Sequence, residues 1–352
     1  MSLRIPRRIL TAVLIAASAL VLASCITVLS GSPQRGGRAP AWVENKDSVY
    51  PPDQYLAEVG EGDNLNSAKA NAAAAIAQIF RTRVTVDSTI RTRYTELTGE
   101  GGATLGMATQ TDFDQSIGQS ADQSLSNLRY GESWTDSMGR VYAVAYLDRA
   151  ETGNLYRQRI MAEDARVSEL MDRARAQDEP LRRYAFLDAA LVVAEANRIL
   201  KEQLEIINNP LARSVLPSYD LGSLRAAAAD QASALKVSVE VAGDDGRITA
   251  VLSDWATGKG FSVSAGGDML LSGVLSISAV KLDNGYDNLS WELNLILMDS
   301  FGYPAVSLPA QNRSSGISAS AAENRAYQDM TELIQKDFNR AFLAYLGSFL
   351  EK

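Results

Sequence analysis

A single cysteine in 352 residues, placed at the end of an apolar run, constrains this chain more than any other feature. Arg4, Arg7 and Arg8 precede the uncharged stretch Ile9 to Ala23, which closes on Leu22-Ala23-Ser24-Cys25. A basic segment, an apolar segment of about 7–15 residues and a small-residue exit make a secretory signal peptide. This exit has the spacing of a bacterial lipobox. The run falls short of the roughly 20 residues that span a bilayer core. A secreted protein that used cysteine structurally would show an even number at spaced positions. Residues 1–24 are therefore read as a signal peptide, and Cys25 as a lipidated N-terminus. Each buried CH₂ contributes about 0.8 kcal/mol, so one chain holds marginally and two hold stably. Bacterial lipoproteins carry two or three such chains, palmitate among them. No aspartate follows the cysteine at Ile26 or Thr27, which places the expected anchor on the outer membrane, facing the periplasm.

Without disulfides, the exported body must hold itself together by burial alone. The chain has 34 basic and 42 acidic residues; without the three signal-peptide arginines the balance is 31 against 42, a charge of about −11. Nucleic-acid binding wants a basic face, so no nucleic acid is expected as a partner. Histidine is absent. That removes His-dependent triads, His general bases and the commonest zinc ligand. No catalytic constellation emerges, so the chain is read as a non-enzyme with no cofactor and no metal.

Residues 25–39 read as a flexible tether, because Gly, Ser and Pro break every periodicity. Residues 40–149 read as a first α+β domain. Tyr55 to Gly60 is a short strand, and an Ala-rich helix capped by Asn66 or Ser67 puts Ala68, Ala72, Ile76, Ile79 and Phe80 on one face. Val84, Val86, Ile90, Thr92 and Tyr94 alternate, which predicts a long strand. Gly99 to Gly118 is a loop. Strands Leu128–Thr135 and Arg140–Leu147 flank the turn residues Asp136 to Gly139. Residues 150–234 form an antiparallel helical hairpin, Asn154–Ala176 and Pro180–Ile207, plus a connector and a short helix, Leu221–Leu235. Residues 235–352 form a second α+β domain, with strands Lys236–Ala242, Met269–Leu282 and Leu289–Met298 and a final helix, Ser320–Leu350. The expected fold is α+β: two small layered domains, β-α-β-β-β and β-α-β-β-α, joined by the hairpin.

Pro40-Ala41-Trp42-Val43, Tyr55-Leu56-Ala57-Glu58-Val59-Gly60, the Ala-rich helix, and Trp134 to Ala145 with Asp136, Gly139 and Arg140 together resemble the Lpp-twenty-like envelope lipoproteins. The resemblance runs over roughly residues 40–149. The family alanine before Val59-Gly60 is Glu58 here. What the resemblance implies is an envelope lipoprotein of Gram-negative or spirochaete-type bacteria, related to the first domain of a flagellar assembly protein, with no catalytic residues to carry over.

Several residue sets invite a sharper reading. Gly99 to Gly106 lacks phosphate-loop spacing. Asp283 to Asn288 has calcium-like oxygens but no glutamate at the twelfth position, so it reads as a hairpin turn. Asp112 with Asp114, and Asp244 with Asp245, read as solvated loop carboxylates. Trp42, Tyr50, Tyr55 and Trp134 either line a groove or pack on the first sheet. The helix Pro180–Ile207 carries two apolar stripes; the second, Phe186, Val193, Leu200 and Leu204, is either covered by the second domain or exposed as a docking face. The expected function is a periplasm-facing protein-binding scaffold or assembly accessory; the alternative is a binder of a small ligand, lipid or peptidoglycan fragment in an aromatic-lined cleft.

Overall fold

The structure is a computed structural model that describes residues 34–35, 38–84, 90, 92–94, 97 and 127–350. Helix α4 (Pro180–Ile207) is buried around most of its circumference, and every other part of the fold leans on it. It starts where the sequence signals a start. Glu179 accepts hydrogen bonds from the backbone N–H of Leu181 and Arg182, with Pro180 in the first turn, where a missing N–H costs nothing. The cap is therefore Glu179, one residue beyond Asp178. Antiparallel to it runs α3 (Arg149–Arg175), capped by Asp148.

The first sheet has the order β1-β3-β4-β2, formed by Gln34–Arg35, Arg129–Thr135, Val141–Asp148 and Tyr55–Gly62. Strand β1 lies in the stretch predicted as tether; it pairs parallel to Trp134–Thr135. Helix α2 (Leu65–Arg83) is capped by Asn64 rather than by Asn66 or Ser67. It lies so close to the sheet that a Cβ on Gly60 would stand 2.2 Å from the Ala72 nitrogen and 2.3 Å from the Ala68 oxygen. Its alanines make that approach possible. The strand predicted across Val84 to Tyr94 is not what forms: Ile90, Thr92 to Tyr94 and Leu97 are helical. Ile90, Tyr94 and Leu97 fit i, i+4, i+7 as well as alternation, and Tyr94 is buried in the core shared with α3 and α4. Val86 lies outside the described residues, as does the loop Gly99 to Gly118.

After α4 come α5 (Asn209–Ser214) and α6 (Leu221–Ala234). The second sheet has the order β6-β5-β7-β8-β9. Its strands are β5 (Lys236–Ala242), β6 (Ser262–Val263), β7 (Met269–Val280), β8 (Asp287–Met298) and β9 (Pro304–Gly316), with α7 (Arg247–Gly258) between β5 and β6. Strands β5 and β7 are parallel; β7, β8 and β9 form an antiparallel meander. Strand β9 is absent from the sequence reading, because Pro304, Pro309 and a polar C-terminal half hide it. Pro309 is tolerated because β9 is an edge.

The final helix runs α8 (Ala319–Leu333), a π turn (Ile334–Phe338) and α9 (Asn339–Leu350). Ala322, Ala326, Met330, Ile334, Phe338, Phe342, Leu346 and Leu350 are all buried, at strict four-residue intervals. On a regular α-helix each such step drifts by about 40°. The π turn opposes that drift with its wider turn. The helix accordingly passes from strands β8 and β9 at its start to α4 at its end.

Two arginines tie these parts together. Arg149 donates to the carbonyls of Pro52 (2.7 Å) and Tyr55 (3.2 Å) and to those of Ile206 (2.8 Å) and Ile207 (2.7 Å). It thus joins the first sheet to the C-terminal end of α4, where a cation is favoured. Arg173 donates to the carbonyl of Leu350 at 3.0 Å and stacks on Phe186, pinning the last helix to the hairpin.

Candidate functional site

The sequence-predicted residues fall in very different places. Cys25 lies outside the described residues, and so do Gly99 to Gly106, Asp112 and Asp114. Phe186, Val193, Leu200 and Leu204 are 2%, 0%, 1% and 0% exposed. They belong to one core with Ile76 and Phe80 of α2, Leu147 of β4, residues of α3, and Leu224 of α6. The second stripe of α4 is therefore covered, and no docking face forms at these four residues. Helices α2, α3 and α6 share that core together with Leu350 at the end of the chain's last helix, and no strand of the second sheet does. The second sheet's core instead takes Leu181, Tyr184 and Ala185 at the start of α4.

Trp42, Tyr50, Tyr55 and Trp134 pack on the first sheet, on the face opposite α2. Trp42 and Trp134 are buried with Ala57 and Val144, and Tyr50, Tyr55, Tyr142 and Tyr146 surround them. Tyr50, Tyr55 and Tyr146 form a triangle with ring centroids 5.1–5.6 Å apart, the edge-to-face and tilted contacts that aromatic quadrupoles prefer. Burial pushes the Tyr50 phenol up to about 12. These aromatic rings pack together as a layer on the sheet.

The carboxylates have structural work. Asp244 accepts from the backbone of Ile248 and Thr249 at the start of α7. Asp245 is held below the usual carboxylate range by its hydrogen bonds with Arg247. In the β7–β8 turn the Asn288 side chain exchanges hydrogen bonds with Asn284 and accepts from Ser315 at 2.6 Å, so those oxygens serve the turn. Among the described residues no group of three or more Asp, Glu, His or Cys is placed to hold a metal ion.

A cleft that the sequence did not point to lies where β9 meets α8 and the π turn. It is a shallow, solvent-open cleft of ≈ 690 Å³, lined by Asn312, Arg313, Ser314, Arg325, Asp329 and Glu332, with Lys336 and Asp337 on the π turn. Its floor is built from the core outward. The buried indole of Trp291 donates to Ser314 Oγ at 3.0 Å, and Ser314 donates to Asp329 Oδ2 at 2.7 Å. The other oxygen of Asp329 meets Arg325 Nε at 3.2 Å. The rim carries Arg313 and Lys336, neither of which has an ion-pair partner among the described residues. Nothing local marks this site in the sequence, because its residues are scattered over three elements.

Residues 40–148 match the model of the LPP20 lipoprotein family. No curated protein matches the chain. Among solved structures, the chain is similar to the secreted protein HP1454 of Helicobacter pylori, at 14% identity over 83% of this chain and 97% of that one, with a TM-score of 0.40. A minor lipoprotein of Acinetobacter baumannii aligns at 13% identity over 29% of this chain and 94% of its own, with a TM-score of 0.22. Lipoprotein GNA1162 of Neisseria meningitidis aligns at 11% identity over 29% and 99%, with a TM-score of 0.21.

Proposed function

We propose that this chain is a bacterial envelope lipoprotein, acylated at Cys25 and held on the outer membrane, whose periplasm-facing body binds envelope protein partners as a scaffold or accessory of an assembly machine. The observation that carries the reading is the match of residues 40–148 to the LPP20 lipoprotein family, downstream of the lipobox cysteine. Among the described residues no helix is long and apolar enough to cross a membrane. Two or more acyl chains on Cys25 suffice to hold the body there. The division into a first α+β unit (40–149), a helical unit (150–234) and a second α+β unit (235–352) gives such a scaffold two ends on one rigid spine, α3 with α4. An aromatic-lined ligand cleft is the weaker reading, because Trp42, Tyr50, Tyr55 and Trp134 already pack on one another.

Two measurements test the proposal. Cys25→Ser should leave an unprocessed precursor that no longer partitions with membranes or carries added lipid mass; unchanged mass and partitioning would remove the anchor. Crosslinking in living cells should recover a stoichiometric envelope protein that is lost on unfolding the body. Recovery of a tightly held small molecule and no such protein would reverse the ranking.

A further inference from the structure

We propose that the cleft between β9, α8 and the π turn is a binding site for a small zwitterion, an ammonium and a carboxylate carried on one short peptide-like backbone. The bland account of such a cleft is a solvated charged surface, where ion pairs contribute little. Three features set this one apart. Asp329 is not a free surface carboxylate: its position is fixed through Ser314 by the indole of Trp291, which is 3% exposed. Fixing a polar group from the core before a ligand arrives cuts the entropic cost of binding.

The second feature is what stays unpaired. Glu332 and Lys336 stand at i and i+4, the spacing that favours a salt bridge on a regular α-helix, yet no ion pair joins them, and the π turn begins between them. Arg313 ties its backbone N–H to the Asn312 side chain at 2.8 Å and leaves its guanidinium free. The third feature is balance. Arg313, Arg325 and Lys336 face Asp329, Glu332 and Asp337, so the site carries both signs and no net charge. A simple anion or cation would meet repulsion as often as attraction there. A molecule with both charges satisfies the rim cations with its carboxylate, and with its ammonium meets Glu332, which has no ion-pair partner among the described residues, beside the remaining lone pairs of Asp329, whose two oxygens already meet Ser314 and Arg325. The volume falls within the range of about 300–1,000 Å³ that holds small ligands. Strand addition along β9 is disfavoured, since Pro309 offers no N–H at the middle of that edge.

The experiment uses the full chain in detergent micelles, with calorimetry and hydrogen-exchange mass spectrometry. The probes are the tripeptide Ala-Ala-Ala with free termini, the same peptide acetylated and amidated, and inorganic phosphate. The expected result is saturable binding of the free tripeptide, with slowed exchange confined to peptides covering residues 305–316 and 325–340. The blocked peptide and phosphate should bind at least tenfold more weakly. The double change Arg313→Gln with Lys336→Gln should weaken the free tripeptide at least tenfold with an unchanged melting temperature, since both residues are exposed. Ser314→Ala, which frees one oxygen of Asp329 while both rim cations stay, should also weaken binding of the free tripeptide, and unchanged affinity in that variant would overturn the role of the core-fixed carboxylate. Equal binding of phosphate, equal binding of the blocked peptide, protection elsewhere, or no binding of the tripeptide would each overturn the proposal.

Discussion

The two sheets of this protein solve the same problem in opposite ways. The first sheet is covered on both faces, by α2 on one side and by the aromatic layer of Trp42, Tyr50, Tyr55, Trp134, Tyr142 and Tyr146 on the other. Among the described residues, the second sheet is covered on one face only. Leu271, Leu275, Trp291, Leu293, Leu295 and Leu297 point towards the helices and are buried. The alternate positions Val274 (57% exposed), Ser276, Glu292 and Ile296 (38% exposed) face solvent. The lesson is that Trp42, Tyr50, Tyr55 and Trp134 form a second wall on the first sheet. Trp42 and Trp134 are buried there with Ala57 and Val144, so these aromatic residues serve packing.

The largest effect should come from opening that wall. Trp134→Ala removes a buried indole and leaves a cavity, so chemical denaturation should show a loss of about 3–5 kcal/mol. A loss below about 1 kcal/mol would mean that the aromatic layer is an ornament on a sheet stable without it. Next comes the tie between the first sheet and the spine. Arg149→Met leaves four carbonyls without their donor, and hydrogen bonds to charged groups contribute about 1.5–3 kcal/mol. We expect a drop of that size, together with faster hydrogen exchange in Tyr55–Gly62; a drop without the local change would place the role of Arg149 elsewhere.

A smaller effect tests the core that α3 and α4 share. Glu163 is buried, accepts a hydrogen bond from the Tyr94 hydroxyl at 3.0 Å, and is held above the usual carboxylate range, chiefly by burial. A raised carboxyl contributes stability that is fully present below its unfolded value and is lost as pH rises through the folded one. Glu163→Gln removes that titration. The wild type should therefore lose stability relative to the variant as pH rises above the ordinary carboxylate range, about 4, towards neutrality. Parallel melting curves for the two proteins across that range would refute the assignment. The smallest effect belongs to the bare face: Val274→Ser should change stability by no more than about 0.5 kcal/mol. A cost several times larger would show that something covers the second sheet after all.

Much of this was legible. Pro180, the two helical stripes and the Asp136 to Gly139 turn placed the hairpin and its neighbours, because each signal is local. Alternation along Lys236 to Ala242 is clean, and strand β5 forms there. Strand β9 was not legible: two prolines and a run of polar residues are what an edge strand tolerates, and they look like loop. The segment around Ile90 to Leu97 fits two periods, and long-range burial of Tyr94 decides between them. The charged cleft left no trace, because Ser314, Asp329 and Lys336 meet only through the fold. The stripe of Phe186, Val193, Leu200 and Leu204 was visible, but which surface covers it depends on tertiary packing.

The blunt edge of β9 has a consequence at the scale of many molecules. A lipid-anchored protein does not dilute into three dimensions; it diffuses in a plane, where its neighbours collide repeatedly in similar orientations. Under such crowding an open strand edge would zip one copy to the next and grow a ribbon. Pro309 withholds a donor in the middle of that edge, and Asn312 occupies the N–H of Arg313. On the proposed lipid anchor, these two devices would keep a dense carpet of such molecules fluid.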